Sequence, residues 1–182
     1  DINYQIDGIT AYEWREELDN WKEDVEFTMN YTQVQDLSVI MVLDESASLG
    51  EDFEKVKQYA SSFITNVLAE IPNARIGIVD FADQIHSFPA TNNKTALINY
   101  IASLQQGPFT TLYESVNVGI DMLEDMDAEA KVLLVFTDGT DNNSDPEFTP
   151  TYILDRLNNT PSDVKITSFT IGLEGKGGVD KP

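Results

Sequence analysis

The sequence has no cysteine, a single histidine and only 11 lysines and arginines against 32 acidic residues. Without cysteine there is no disulfide framework and no thiol to act as nucleophile or ligand. A formal net charge of -21 leaves no basic patch for a phosphate backbone, so nucleic acid is excluded as an expected partner. An anionic membrane surface is repelled for the same reason, and no apolar run approaches the roughly 18 residues of a spanning helix. Membrane insertion is therefore not expected. No P-loop of the form G-x-x-x-x-G-K-[ST] occurs, nor any Ser-His-Asp or Cys-His arrangement. His86 stands apart from the acidic loops in sequence and reads as a surface or packing residue.

What is present is the length of one domain, 182 residues, enough to bury around 70% of the unfolded surface in a single core. The chain starts at Asp1 without a signal-peptide pattern, which reads as a piece of a larger polypeptide. Its most informative stretch is Val39 to Gly50, VIMVLDESASLG. Five apolar residues run into Asp44, as in a buried strand that empties into a polar loop, and Ser46 and Ser48 follow at alternate positions. On an extended turn those three oxygens can converge on a hard cation. Locally, the same residues also suit a helix N-cap. Two further stretches favour the cation: Thr110 and Thr111 stand ahead of a helical pattern, and Asp138 ends the apolar run in VLLVFTDG. Oxygen-bearing loops at strand ends are what a site at the carboxyl edge of a parallel sheet requires.

Hydrophobic periodicity gives the rest. Trp14, Leu18, Trp21 and Val25 recur at spacings of four, three and four and predict an amphipathic helix, followed by a strand over 25–31 with period two. Phe53 to Ile71 carries a helical stripe closed by Pro72 and Asn73. Ala74 to Ala82 predicts a strand, His86 to Ala90 an edge strand in which Pro89 removes a ladder donor, and Lys94 to Leu104 a helix. Further predicted elements are a helix burying Val116, Ile120 and Leu123, a strand over 131–137, a helix over 152–158 and a strand over 164–173. Alternating strands and helices predict a doubly wound, Rossmann-like α/β fold.

The motifs DESAS at 44–48, TTLYES at 110–115 and FTDG at 136–139, in that order and with ARIGIVDFAD and FPATNNKTALINYI between the first two, resemble the von Willebrand factor type A (VWA) family and its metal-ion-dependent adhesion site. The resemblance covers roughly 37–173. It implies a mostly parallel sheet with one short antiparallel edge strand and helices on both faces; the N-terminal helix/strand extension over 1–36, read from periodicity, lies outside it. Family members normally continue after the last strand into another helix, whereas the sequence here ends in EGKGGVDKP, so within the VWA-like domain at 37–182 that helix is expected to be absent, either because the fragment is incomplete or because something else fills its place.

By the same resemblance, Ser46 and Ser48 correspond to hydroxyl ligands of a divalent ion, Thr110 to a hydroxyl that coordinates when a partner is bound, with Thr111 as second choice, and Asp44 and Asp138 to the carboxylates that hold the ion. Glu45 and Asp141 are expected to be solvated. The ion expected is Mg2+, with Mn2+ or Ca2+ as alternatives. Three neutral hydroxyls and two carboxylates leave Mg2+ a position held only by water, which a carboxylate can fill. The implied function is a non-catalytic adhesion or protein-recognition module, extracellular or at the cell surface, that binds an Asp or Glu of a partner protein. Two alternatives stand beside it. One is a module that holds metal only for structure. The other is a doubly wound phospho-transfer enzyme, which would also place an Asp after its first strand but whose accompanying acidic pair and lysine are not evident.

Overall fold

The computed structural model describes residues 36–139, 141–160 and 165–172 in full and residues 12–15 and 20–23 as backbone. The chain divides into two compact units, 1–34 and 35–182.

In the first unit, Tyr12–Arg15 (β1) pairs antiparallel with Asn20–Glu23 (β2). This corrects the helix predicted across Trp14, Leu18 and Trp21. The helical spacing of the tryptophans coexists with a local period of two, and the hairpin register sets Trp14 opposite Trp21 and Glu13 opposite Lys22. Aromatic and opposite-charge residues placed across a pair of strands favour that pairing. The strand predicted over 25–31 lies outside the described residues.

The second unit is built around Leu37–Asp44 (β3), all eight of whose residues are buried, as a continuous apolar run in a parallel sheet requires. The helix Asp52–Glu70 (α1) leads from it to Arg75–Phe81 (β4), then come Ile85–Thr91 (β5), the helix Lys94–Ser103 (α2) and the helix Leu112–Glu124 (α3). Ala130–Thr137 (β6), the helix Pro150–Asn158 (α4) and Ile166–Gly172 (β7) complete the order. The sheet runs β5-β4-β3-β6-β7. All neighbours are parallel except β4 and β5, so the antiparallel edge strand expected around His86 to Ala90 is present. Its register shifts opposite Ile76 and Ile78, where Pro89 has no N–H to give the ladder.

Helices cover both faces. Ile40, Val42, Val79, Phe81, Leu133 and Val135 meet Val116, Ile120 and Leu123 of α3 and Ile153 of α4 in one core. Helix α3 lies close to the sheet because Gly119 has no side chain: a Cβ there would fall 2.8 Å from Leu133 Cδ1 and 3.1 Å from Val42 Cγ2. Asp80 alternates with Val79 and Phe81 and so faces the other way, where the Tyr100 hydroxyl of α2 donates to Asp80 Oδ1 at 2.6 Å. On that side α2 packs with α1, whose Phe53, Val56, Ala60 and Ile64 are buried at helical spacing. Each such side chain contributes roughly 1.5–3 kcal/mol on burial.

Two short helices owe their starts to caps. Asn93 accepts from Ala96 N at 3.1 Å, and Thr149 accepts from Tyr152 N at 3.1 Å ahead of Pro150. The site is positioned by the sheet order. From β3 the chain crosses to β4 on one side, whereas β6 and β7 lie on the other, so a crevice opens at the carboxyl ends of β3 and β6. Asp44 ends β3, and Asp138 follows the last residue of β6.

Candidate metal site

At the end of β3 the Asp44 side chain is fully buried and both of its oxygens are held. Oδ1 accepts from Ser46 N at 2.8 Å and Oδ2 from the Thr137 hydroxyl at 2.7 Å. The first contact closes an Asx turn that sends the chain outward and brings Ser46 and Ser48 to one side. Their hydroxyls lie 2.9 Å apart, and Ser48 donates to Asp138 Oδ1 at 3.1 Å. Neither serine caps a helix: Ser46 precedes the 3-10 turn Ala47–Leu49 without a side-chain cap, and Glu51 occupies the cap position of α1. The capping alternative is thereby overturned. Burial, reinforced by the nearby Asp44, raises the pKa of Asp138, against the opposing effect of the Ser48 hydrogen bond. No lysine or arginine pairs with either carboxylate among the described residues.

The second stretch is tied to this loop from two directions. Gly107 donates to Glu45 O at 3.0 Å and accepts from Ala47 N at 2.9 Å, and the Gln106 side chain donates to Ser46 O at 3.0 Å. Asn142 accepts from Thr110 N at 2.9 Å through Oδ1, while its own N–H donates to Thr110 O at 3.0 Å. Thr110 is buried, and its Oγ1 would lie 3.8 Å from a Cβ placed on Gly139, the residue after Asp138. Thr111, the second choice for a ligand, is committed elsewhere. Its hydroxyl donates to Ala82 O at 2.6 Å and accepts from Asn143 Nδ2 at 2.9 Å. Asp141, expected to be solvated, instead accepts from Leu112 N at 2.8 Å and from the Ser144 hydroxyl at 2.6 Å, bracing the start of α3. The structure thus brings Asp44, Ser46, Ser48 and Asp138 into one hydrogen-bonded chain with Thr110 beside Gly139.

A family model for the von Willebrand factor type A domain matches residues 38–181. The chain belongs to this family. None of the curated proteins matches it, but solved structures do. The vWF domain of the type V pili tip protein Mfa5 from Porphyromonas gingivalis is 19% identical with a TM-score of 0.57, over 60% of this chain and 40% of that one. The pilus adhesin SpaC from Lactobacillus rhamnosus GG, at 19% identity and TM-score 0.53, aligns over 60% of this chain and 15% of its own. The conserved hypothetical protein BatB from Bacteroides thetaiotaomicron is 20% identical with a TM-score of 0.59, over 79% of this chain and 74% of that one. The chain thus spans less than half the length of the pilus proteins it matches. At these identities the likeness is one of fold.

This VWA domain also carries a group of side chains that sequence reading misplaced. Glu45, expected to be solvated, is buried. With Asp80 and His86 it brings three ligand-type atoms within 4.8 Å of one another. His86 is not apart from the acidic loops: its Nδ1 lies 3.2 Å from Asp80 Oδ2, because β5 turns back beside β4 and pairs Asp80 with His86. Burial, then the neighbouring Asp80, pushes the Glu45 carboxyl up to about 7. Sequence reasoning also passed over Thr137, although it stands in the FTDG motif. The available signal was its place at the end of β6, one residue beyond the Leu43 and Phe136 pair.

Proposed function

We propose that this VWA domain is a non-catalytic adhesion or protein-recognition module of a larger surface protein, capturing an Asp or Glu side chain of a partner through a divalent ion. Asp44, Ser46, Ser48, Thr110 and Asp138 would hold the ion, which supplies a hard positive centre for an incoming carboxylate. The observation that carries this reading is the chain Ser46, Ser48, Asp138: two hydroxyls and a carboxylate drawn together at 2.9 and 3.1 Å. Asp44 lies behind them, and among the described residues no lysine or arginine pairs with either carboxylate. Such a donor set suits Mg2+ or Mn2+, and the fold likeness to pilus adhesin domains fits a surface location.

The net charge of -21 slows encounter with acidic surfaces but does not forbid capture. At physiological salt the Debye length is about 8 Å, so remote carboxylates are screened while the ion and an arriving carboxylate meet at contact distance. The partner's binding face is accordingly basic around one exposed acid.

Calorimetry with Mg2+ and Mn2+ tests the site, and binding of acidic peptides with and without chelator tests its use. Binding of the ion should be lost in Asp44→Ala and Asp138→Ala, and peptide binding should require the ion. Unchanged ion binding in both variants removes the site, and peptide binding that persists in chelator leaves the metal a structural role only. A second reading of where an ion sits rests on Glu45, Asp80 and His86. It predicts ion binding that survives Asp44→Ala and is lost in His86→Ala.

A further inference from the structure

Phe109 is the one non-glycine residue with positive φ among the described residues, at 62°. It is also one of three large apolar side chains exposed among them, at 57%, and the other two, Tyr152 and Leu154, belong to α4. Left-handed backbone disfavours an L side chain with a bulky Cβ substituent, and a glycine would adopt it freely. An aromatic ring that is both exposed and set on such a backbone gains little for the fold.

The conformation persists because the chain on either side leaves it no choice. Two residues before Phe109, Gly107 is fastened to Glu45 and Ala47 by backbone bonds of 3.0 and 2.9 Å. Pro108, next in the chain, has its own φ fixed by its ring. Immediately after, Thr110 is held by two bonds to Asn142 and Thr111 by its N–H to Ala82 O at 3.1 Å. Phe109 therefore stands as a fixed projection between two anchored segments, directly before the threonine proposed to face the ion. Strain over-determined by its surroundings in this way gathers at ligand-contacting positions.

We propose that Phe109 is a pre-set aromatic contact for the partner, packing on an apolar side chain next to the partner's acidic residue. The inference rests on the carboxylate-capture reading and narrows its ligand class to an Asp or Glu flanked by an aliphatic or aromatic residue. Three physical reasons converge on that class. An apolar contact is indifferent to the -21 charge that opposes acidic surroundings in the partner. A rigid ring loses little side-chain entropy on binding. Apolar cover beside a coordinated carboxylate excludes water from it and strengthens the attraction.

The test is a peptide array in which one Asp or Glu is flanked systematically by each residue type, probed with the whole chain in Mg2+ and again in chelator. For the parent, peptides with Leu, Ile, Phe or Tyr beside the acid should bind at least tenfold better than those with Ser or Gly. Phe109→Gly should lose that preference while keeping dependence on Mg2+ and on the carboxylate, and its melting temperature should be equal or higher because glycine accepts the positive φ. An undiminished preference in Phe109→Gly overturns the proposal, as does a melting temperature several degrees lower, which would make the ring a packing residue. If the parent binds acidic peptides in Mg2+ with no apolar preference, this inference falls and carboxylate capture stands. If it binds none of them, both fall.

Discussion

The Thr137 hydroxyl at the end of β6 donates to Asp44 Oδ2 at the end of β3 across 2.7 Å, and it thereby fixes which Asp44 oxygen is left to the loop. With Oδ2 occupied, Oδ1 closes the turn onto Ser46 N at 2.8 Å. The two strand ends and the serine loop are thus one unit. Thr137→Val keeps the shape and removes the hydroxyl, and groups that orient ligands in this way are worth about 10–100-fold in metal affinity. Mg2+ affinity by calorimetry should fall at least tenfold in Thr137→Val and recover in Thr137→Ser. Equal affinity in parent and valine variant would show that Asp44 is positioned by its backbone alone.

The adjacent threonines should separate cleanly. Thr111 spends its hydroxyl on Ala82 O and Asn143, so Thr111→Val removes two hydrogen bonds, each worth about 0.5–1.5 kcal/mol, while Ala82 O keeps the Thr111 N–H. Its melting temperature should drop by several degrees. Thr110→Val should leave the melting temperature near that of the parent and reduce Mg2+-dependent peptide binding at least tenfold. The reverse pattern would exchange their roles.

The parts of this fold that follow from periodicity were legible in sequence. Buried parallel strands such as β3 announce themselves as unbroken apolar runs, and α1 by Phe53, Val56, Ala60 and Ile64. That Asp44, Ser46, Ser48 and Asp138 come together was legible for another reason: oxygen-bearing side chains placed where apolar runs stop fall at strand ends, and parallel strand ends share one edge. What was not legible depends on neighbours distant in sequence. Whether Glu45 points to solvent or to Asp80 is decided by the β3–β4 pairing and whether His86 meets Asp80 by the β4–β5 pairing, and whether Asp141 and Thr111 are free is decided by the bonds between the two loops that carry them. The pairing β1–β2 was misread because Trp14 and Trp21, seven apart, satisfy two turns of a helix as well as facing positions on two antiparallel strands.

Gln106, Asn142 and Asn143 form the ties that hold the Thr110 segment to its two neighbours. Asn142→Ala removes the acceptor for Thr110 N but leaves both carboxylates and both serines in place. Calorimetry without a partner should show Mg2+ affinity within about threefold of the parent, since Thr110 would coordinate the ion directly only when a partner is bound. Hydrogen exchange at Thr110 N should speed up by an order of magnitude or more, corresponding to about 1.4 kcal/mol of lost protection. Unaltered exchange at that amide would mean the backbone bond from Asn142 N to Thr110 O suffices.

Glu45 supplies a pH dependence whose sign can be worked out. Its carboxyl rises from 4.5 to about 7 on folding, chiefly through burial and then through Asp80, with His86 opposing. A group whose pKa is raised by folding contributes stability that is fully present below the unfolded value and is lost as pH climbs through the folded one. Over that window the loss is at most about 3 kcal/mol. Glu45→Gln resembles the protonated carboxyl at every pH and should escape the loss. In chelator, so that no ion takes part, parent and variant should unfold at similar temperatures at pH 4.5, and the variant should become progressively more stable by pH 7.5. Other titrating groups affect both proteins alike, which makes the difference between the two curves the quantity to read. A difference that stays constant across this range would show that the carboxylate is accommodated without cost.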